Sequence, residues 1–364
     1  MVKREAVRRC FQQLGIQNIT FPLTKRVVKD SAGGFSISIK LHTGSDFEEL
    51  VSYRNKIAVA LDSDEVSFEK TSGRTGVMRV TMPLPSSFPK WNPPEWDGLT
   101  NRVSSSVAIG VNSSGEKEYL EIFSTEGART TLVGGIPGQG KSTLIRLIVG
   151  DLADTSTAIC WFDAKNGADA KPFEHRVDVY CDLEAPELFL GAILKMKQIA
   201  QARNRFLGLG LPIDMLPKVL FILDEWAILS SLGSKTLQTE MNLEVRKLVA
   251  TARSANIAVI LATQRPTKDN IDVTTRELSS NRICFKVGDI HGSEAVLGQS
   301  GAESSTDPLR VGRCLFWRES KLERMILFEQ SPLLVKRSNE YSGNKLTLDD
   351  LIYLNDVFAR EHGV

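Results

Sequence analysis

The stretch that most constrains this chain is Gly135–Ser142, with the sequence GIPGQGKS. It matches the loop pattern G-x-x-x-x-G-K-[ST] at every fixed position. The apolar run Thr131–Val133 before it predicts a strand, and residues 142–149 after it predict an amphipathic helix. Backbone N–H groups of such a loop, with the positive end of the following helix, bind phosphate oxygens. We therefore predict a nucleotide-phosphate site made of Gly135, Pro137, Gly138, Gln139, Gly140, Lys141, Ser142 and Thr143.

Two residues of this loop are expected to carry chemistry of their own. The Lys141 ammonium would reach the β- and γ-phosphates, and the Ser142 hydroxyl would hold Mg²⁺. The alternative is a glycine-rich turn that happens to precede a helix. The flanking strand and helix favour the phosphate-binding interpretation.

A second buried strand ends in two acidic residues. Val219–Leu223 is apolar throughout and is followed by Asp224 and Glu225, as in a central parallel strand with acids at its carboxyl end. Asp224 is expected to bind Mg²⁺ directly or through water, and Glu225 to polarise the attacking water. A core strand with an acidic end is the alternative. The presence of both Asp224–Glu225 and Gly135–Ser142 in one chain favours hydrolysis of a nucleoside triphosphate.

The order of predicted elements indicates the fold class. Several further buried strands alternate with helices, and Gln264 follows the strand Ile257–Ala262, where its amide could sense the γ-phosphate or simply cap the strand. Strands separated by helices predict a mostly parallel, doubly wound α/β sheet of the RecA-like P-loop NTPase class. The other predicted strands are 107–111, 118–123, 158–163, 281–287 and 313–317, and the long helices are 188–206 and 240–255.

Prolines divide the chain into regions. Five prolines between 83 and 94 interrupt regular structure and predict a linker. Before them, residues 33–83 alternate between strand and helix patterns and predict a small α+β (βαββ) domain. We predict three regions, namely 1–95 as this domain with its linker, 96–330 as the RecA-like P-loop domain, and 331–364 as a helical tail with Thr347 as a helix N-cap.

Composition excludes several classes of protein. The net charge of the 364 residues is +1, so nucleic-acid binding would depend on a local surface rather than on an overall basic field. The five cysteines form no C-x-x-C pair, which predicts reduced thiols in a cytoplasmic protein and no zinc site. No apolar run is long enough to span a bilayer, and the N-terminus does not resemble a signal peptide. Work at the inner face of the cell membrane would therefore require a recruiting partner, unless this sequence is a fragment of a longer chain.

In combination, these motifs resemble the motor domain of the FtsK/SpoIIIE DNA translocases and the related Tra proteins of actinobacterial conjugative plasmids. The resemblance covers roughly 105–330, and residues 33–83 are more weakly similar to the small domain that precedes this motor. The run Ala262–Pro266, ATQRP, is much more specific to this family than the P-loop pattern, which thousands of proteins share. The other stretches that carry the resemblance are Gly135–Ser142, Asp163–Lys165, Ile222–Glu225, Ala252–Ile257, Asn281–Val287 and Gly301–Glu303.

The resemblance implies a hexameric ring with double-stranded DNA in its pore and ATP bound between subunits. It implies that Lys141, Ser142 and Asp224 bind MgATP. Arg253 is similar in position to the arginine that a neighbour supplies in related ring ATPases, and Arg282 is a second candidate for that role. The implied catalytic residues are Glu225, Gln264, Arg253 and Lys141, and the implied partners are duplex DNA, further copies of the chain and membrane-associated transfer proteins.

DNA contacts follow from the same resemblance, because the loops after the strand ends should face the pore. Their basic residues would bind phosphates without regard to sequence. Solvated surface charges are the alternative for each one. The candidates are Lys165, Lys171, Arg176, Arg265 and Lys268.

Departures from the family pattern favour a plasmid-transfer role over chromosome segregation. Val311–Cys314 reads VGRC, where the family often has Gly-x-Gly-Asp. No winged-helix pattern follows the motor, and no membrane pattern precedes it. Three alternatives remain open: a single-stranded DNA coupling protein working with a relaxase, an ATPase that moves proteins in secretion, and a nucleotide-dependent binding module. Glu225 next to Asp224 disfavours the binding module, because a pure switch does not need the second acid.

Overall fold

A computed structural model of the chain describes residues 2–17, 19–22, 27–29, 35–42, 46–61, 63, 65–81, 106–112, 116–153, 155–267, 270–303, 311–318, 321–328 and 343–364. The predicted proline-rich linker, Lys268, and residues 329–342 of the predicted C-terminal tail and just before it lie outside them. The chain divides into two compact units, Met1–Asn92 with Val111–Glu116, and Pro93–Gly110 with Lys117–Val364.

The first unit contains the predicted βαββ arrangement with two short additional strands. Phe35–Leu41 alternates buried and less buried residues because successive side chains of a strand point to opposite faces. Its sheet is antiparallel, in the order β1-β3-β5-β4 with β2 paired to β3. The elements are α1 Val2–Gln13, β1 Ile19–Thr20, β2 Val28–Lys29, β3 Phe35–Leu41, α2 Phe47–Ser52, α3 Arg54–Ala60, β4 Glu65–Ser72 and β5 Thr75–Thr81.

The second unit is built on a ten-stranded sheet. Its first half contains β6 Ser106–Asn112, β7 Lys117–Glu121, β8 Phe123–Ser124, β9 Gly127–Ala128, β10 Thr130–Gly134, α4 Lys141–Leu152, β11 Ala158–Asp163, β12 Val177–Tyr180 and α5 Pro186–Gly208. Its second half contains β13 Val219–Asp224, α6 Trp226–Leu229, α7 Lys235–Ala252, β14 Ile257–Thr263, α8 Val273–Leu278, β15 Asn281–Phe285, α9 Ile290–Leu297, β16 Arg313–Arg318, β17 Lys321–Leu327 and α10 Leu348–Glu361.

The strand order of this sheet is β12-β11-β13-β14-β10-β15-β16-β17-β6-β7. The first six strands of that order are parallel, and β15, β16 and β17 pair antiparallel. Strands β10, β11, β13, β14 and β15 are buried along their whole length, as expected when both faces are covered. Buried apolar clusters lie on both faces, so the predicted mostly parallel, doubly wound α/β sheet is confirmed.

This order places the predicted site at one edge. Gly134 at the end of β10 pairs with Thr263 at the end of β14, and Leu223 of β13 pairs with Leu261. The carboxyl ends of these three strands therefore meet, which brings Gly135–Ser142, Asp224–Glu225 and Gln264 to the same edge of the sheet.

The C-terminal helix α10 packs along α5 within the second unit. Thr347 caps it as predicted, and the Thr347 and Asp350 side chains form a reciprocal capping box. One basic residue of α5 lies in the interior of the second unit. Arg203 is fully buried and donates to the Ala255 carbonyl oxygen at 3.1 Å and to Asn355 Oδ1 of α10 at 3.4 Å. Burial lowers the pKa of Arg203 to about 10.

Two strands that the sequence pattern did not predict complete the sheet. Strand β12 is only four residues long and lies at the sheet edge, and β17 carries charged residues in its first half. All five cysteines are free thiols. Among the described residues, no helix is both long and apolar enough to cross a membrane.

Candidate nucleotide-binding and hydrolysis site

The loop between β10 and α4 has the backbone that phosphate binding requires. Gly135, Gly138 and Gly140 have φ values of 149°, 74° and 121°, which residues with a Cβ rarely adopt. A Cβ on Gly135 would lie 2.6 Å from the Cβ of Phe285, so the loop needs glycine there for packing as well. The Ile136 N–H donates to the Lys286 carbonyl oxygen at 2.8 Å, which anchors the loop to the end of β15.

Lys141 begins helix α4 and is 4% exposed. Its Nζ donates to the carbonyl oxygens of Gly135 at 2.6 Å and Ile136 at 3.0 Å, so the ammonium lies over the loop. Burial lowers the pKa of Lys141 to about 8, and the negative charges of Glu225 and Asp224 act in the opposite direction. The phosphates of a bound nucleotide would likewise favour the charged amine.

An open cleft of about 430 Å³ lies over this loop. Most of the predicted phosphate-site residues line it, and so does Gln264 from the end of β14. Gln139 does not line the cleft. Its backbone carbonyl oxygen accepts a hydrogen bond from the Gly312 N–H at 2.9 Å. The lining residues are Pro137, Gly138, Gly140, Lys141, Ser142, Thr143, Arg146, Lys165, Asp169, Gln264 and Val311.

Asp224 ends β13 as a buried carboxylate that is 1% exposed. Neither of its oxygens receives a hydrogen bond from the described residues, and the nearest cation is Lys165 Nζ at 3.7 Å from Oδ2. Burial raises the pKa of Asp224 to about 6, against the opposing effect of the Lys165 charge. A buried carboxylate without hydrogen bonds is costly unless another group completes it. A divalent cation would do so.

Glu225 follows in a strained conformation, with φ 62° and ψ 55° in the left-handed region. The side chain is 3% exposed, and its Oε1 accepts the Gln264 backbone N–H at 2.9 Å. The Thr263 hydroxyl lies 3.4 Å from the same oxygen. The neighbouring strand β14 thus fixes the Glu225 carboxylate, while the Gln264 side chain lies along the cleft.

Two residues of this site were not predicted from the sequence. Asp169 Oδ2 accepts from the Ser142 hydroxyl at 2.7 Å, and Arg146 donates to Asp169 Oδ1 at 3.2 Å. Arg146 lies four residues after Ser142 on α4, a spacing that places both on one helix face and could have indicated it. Asp169 had no such signal, because its position depends on the path of the loop after β11.

The residues fit a magnesium ion. Oxygen atoms of Asp163, Asp169 and Asp224 lie within 4.8 Å of one another, and the Ser142 hydroxyl bonds to Asp169. Mg²⁺ prefers carboxylate and hydroxyl oxygens of this kind. Asp163 also has a structural role, since its carboxylate accepts from the N–H groups of Lys165 at 2.8 Å and Asp169 at 3.0 Å. Asp224 and Ser142 therefore remain the best placed ligands.

The structure separates the predicted DNA contacts. Arg176 is wrong as a DNA contact, because it is 3% exposed and each of its three guanidinium nitrogens donates a hydrogen bond inside the protein. Its guanidinium donates to the carbonyl oxygens of Ala153 at 2.8 Å, Thr155 at 2.9 Å and Asn344 at 2.9 Å. The first two lie just past the end of α4, where a cation is favourable.

The remaining basic candidates differ from one another. Lys165 points into the nucleotide site rather than outward, with its Nζ 2.7 Å from Asp169 Oδ2. Lys171 is exposed and pairs with Glu174, and Arg265 is exposed beyond the end of β14. Lys268 lies outside the described residues. Lys171 and Arg265 are the two candidates whose positions are compatible with a DNA contact.

The two candidate arginine fingers have different surroundings. Arg253 follows α7 at the amino edge of the sheet, opposite the phosphate loop. As an arginine finger it could therefore act only on a nucleotide bound to a neighbouring subunit. It is 54% exposed, and its NH2 lies 2.8 Å from Glu126 Oε2. Arg282 is wrong as a finger, because it is buried, stacks 3.8 Å above the Trp317 ring and donates to the Leu297 carbonyl oxygen at 3.2 Å.

Comparison with known protein sequences gives FtsK DNA translocases. The chain is 25% identical to that of Treponema pallidum over 234 residues, which are 56% of this chain and 27% of the relative. It is 30% identical over 217 residues to FtsK of Borreliella burgdorferi, again 27% of the relative. The chain thus spans about a quarter of the length of these relatives. No family model matches it.

Comparison with solved structures gives P-loop ATPases. The conjugation coupling protein TcpA of pCW3, solved with ATPγS, superposes with a TM-score of 0.60 at 18% identity, over 96% of this chain and 98% of that one. The type VII secretion ATPase EccC of Thermomonospora curvata superposes with a TM-score of 0.55 at 19% identity, over 69% of this chain and 32% of that one. With the phosphate loop and the Asp224–Glu225 pair, these similarities show that the second unit has the predicted P-loop ATPase fold and is similar in sequence to the FtsK DNA translocases.

Proposed function

We propose that this chain is an ATP-driven motor that moves double-stranded DNA as a ring of six copies, in conjugative transfer of a plasmid or other mobile element. The observation that carries this proposal is the similarity to TcpA over nearly the whole of both chains, because TcpA is a conjugation coupling protein. Sequence similarity to the FtsK DNA translocases supports movement of DNA independently.

The residues of the site support ATP hydrolysis. The loop amides and Lys141 would bind the triphosphate, and Glu225 would orient the water that attacks the γ-phosphate. The Gln264 backbone N–H holds the Glu225 carboxylate at 2.9 Å, and the Gln264 side chain lines the cleft where the γ-phosphate would lie. Ser142 and Asp224 would hold Mg²⁺, which when bound offsets the negative charge of the phosphates.

The DNA step would depend on local charge. With a net charge of +1, the chain would bind DNA through residues near the pore rather than through its overall field. Among the described residues of the loops that follow β11 and β14, Lys171 and Arg265 have exposed, positively charged side chains. Phosphate contacts of this kind weaken as salt rises, because bound counterions are released on binding.

The test is the steady-state ATPase rate of the wild type and of Glu225→Gln, without DNA, with single-stranded DNA and with duplex DNA, over a salt series. We expect duplex DNA to stimulate the wild type and salt to remove the stimulation. Glu225→Gln should lower the rate at least about a hundredfold while nucleotide binding persists, because the amide cannot accept the water proton. A triplex-displacement assay would then measure movement along the duplex.

Two other outcomes would change the proposal. Stimulation by single-stranded DNA alone, with dependence on a relaxase, would indicate a single-strand coupling protein. A rate indifferent to both DNAs would contradict DNA movement and favour a motor for proteins. The specific observation that favours this second function is the superposition on EccC. A structure of EccC in complex with a signal sequence peptide also superposes on this chain, with a TM-score of 0.51.

A further inference from the structure

Lys165 occupies an unusual position for a basic residue on a loop. Its Nζ lies 2.7 Å from Asp169 Oδ2, 3.1 Å from the Ser142 hydroxyl oxygen and 3.7 Å from Asp224 Oδ2. Two of these three oxygens belong to the residues that fit Mg²⁺ best. The lysine charge thus lies among the magnesium ligands themselves.

The loop geometry holds Lys165 there. The Lys165 N–H donates to Asp163 Oδ1 at 2.8 Å, which ties the start of the loop to the end of β11. Asn166 and Gly167 then turn the chain sharply, with φ values of 54° and 76°. The turn brings Asp169 back over the Ser142 hydroxyl, so that Lys165 and Asp169 close together on the site.

The charges around Asp224 make this contact significant. Asp224 has no hydrogen bond from the described residues, and Lys165 Nζ is its nearest cation. Arg146 is engaged with Asp169 at 3.2 Å, and Lys141 with carbonyl oxygens of its own loop. A cation that used the Ser142 and Asp224 oxygens would compete for them with Lys165 Nζ, and like charges repel strongly in a partly buried site.

We propose that Lys165 is an internal counter-cation of Asp169 and Asp224, which leaves them when magnesium nucleotide binds and so sets the magnesium requirement of the site. The lysine stabilises the carboxylates in the absence of the ion and competes with the ion for the same oxygens. Lys165 lines the cleft, so its side chain can turn towards the solvent when it is displaced. This inference rests on the proposed function only in taking the site to bind magnesium nucleotide.

The experiment measures binding of a fluorescent ADP analogue to Lys165→Met over a magnesium series, with no DNA present. We expect the magnesium concentration at half-saturation to fall about tenfold or more, because the competing charge is gone. Thermal unfolding in EDTA gives a second readout. Lys165→Met should unfold at a lower temperature than the wild type in EDTA, and magnesium alone should remove the difference.

Matched variants separate this role from others. Lys165→Arg keeps the charge and should keep the wild-type magnesium dependence. Lys235→Met removes an exposed lysine at the start of α7, outside the cleft, and should leave the magnesium dependence unchanged. Lys165→Gln is the substitute if the methionine variant does not fold. An unchanged or higher magnesium requirement, or weak ADP binding at saturating magnesium, would overturn the proposal and make Lys165 a phosphate ligand. A motor that moves proteins would give the same magnesium dependence as a motor that moves DNA. The result therefore tests the role of Lys165 independently of the proposed DNA movement.

Discussion

At the scale of single residues, the site combines a strained backbone with one well-held carboxylate. Left-handed φ and ψ at a residue with a side chain cost about 1–3 kcal/mol and persist where the surroundings enforce them. At Glu225 the surroundings are the end of β13, the Gln264 N–H and the Thr263 hydroxyl. This left-handed backbone turns the Glu225 side chain towards the end of the neighbouring strand β14.

Arg176 gives a prediction about stability at this scale. Arg176→Ala should lower the free energy of unfolding by about 2–4 kcal/mol, because three carbonyl oxygens lose their donor in a buried place. Urea denaturation followed by circular dichroism would measure it. Lys171→Ala, an exposed lysine five residues earlier, should change the stability by less than about 0.5 kcal/mol. If Arg176→Ala leaves the stability unchanged but removes the stimulation of the ATPase by DNA, Arg176 is a DNA contact after all.

The residues whose positions agree with the sequence prediction differ from the others in what determines their position. Gly135–Ser142 and Asp224–Glu225 are fixed by the strands directly before them, so their spacing along the chain was sufficient. Lys165, Asp169 and Arg176 lie on one loop whose path depends on contacts with Asp163 and with the end of α4. Sequence places such residues near a strand end but does not show which way they face.

At the scale of elements, the same contrast separates the central strands from the edges. Strands such as β13 and β14 are apolar throughout because both of their faces are covered, and this made them predictable. Strand β17 begins with Lys321 and contains Glu323 and Arg324 in its less buried half. Short or mixed strands take their structure from a paired neighbour, which is not written in their own pattern.

The capping box of α10 allows a prediction for an element. Thr347→Ala should lower the stability of the second unit by about 1 kcal/mol, because the Thr347 hydroxyl no longer accepts the Asp350 N–H. The urea midpoint would measure the loss. Thr239→Ala, the same change at an exposed position inside α7, should be neutral or slightly stabilising because alanine favours the helix interior. Equal effects of both substitutions would exclude a role of the cap.

At the scale of the whole molecule, Arg253 could act on a nucleotide only in an assembly of several copies. Arg253 lies at the amino edge of the sheet and the phosphate loop at the carboxyl edge, so one chain cannot use both for the same nucleotide. A head-to-tail ring brings the two edges of neighbouring copies together. Within a single copy, the ion pair with Glu126 at 2.8 Å keeps Arg253 extended along the surface.

Mixing two inactive variants tests this arrangement. Arg253→Ala should bind nucleotide normally but hydrolyse it about 10³-fold more slowly, because a neighbour no longer stabilises the phosphoryl charge. Glu225→Gln should be inactive for a different reason, in its own site. In mixed rings, an Arg253→Ala subunit still has Glu225 and can receive Arg253 from a Glu225→Gln neighbour. Equal mixing makes about one quarter of the interfaces complete, so activity should return.

The control is mixing each variant with Arg253→Ala,Glu225→Gln, the double variant. The double variant has neither group, so a ring of it with Glu225→Gln contains no subunit that supplies Glu225 and should stay inactive. With Arg253→Ala it contains no Arg253 and should also stay inactive. Recovery only in the first mixture would show that Arg253 acts across the interface. A mixture of the two single variants that stays inactive, although the rings exchange subunits, would place Arg253 outside the hydrolysis step and leave it as the partner of Glu126.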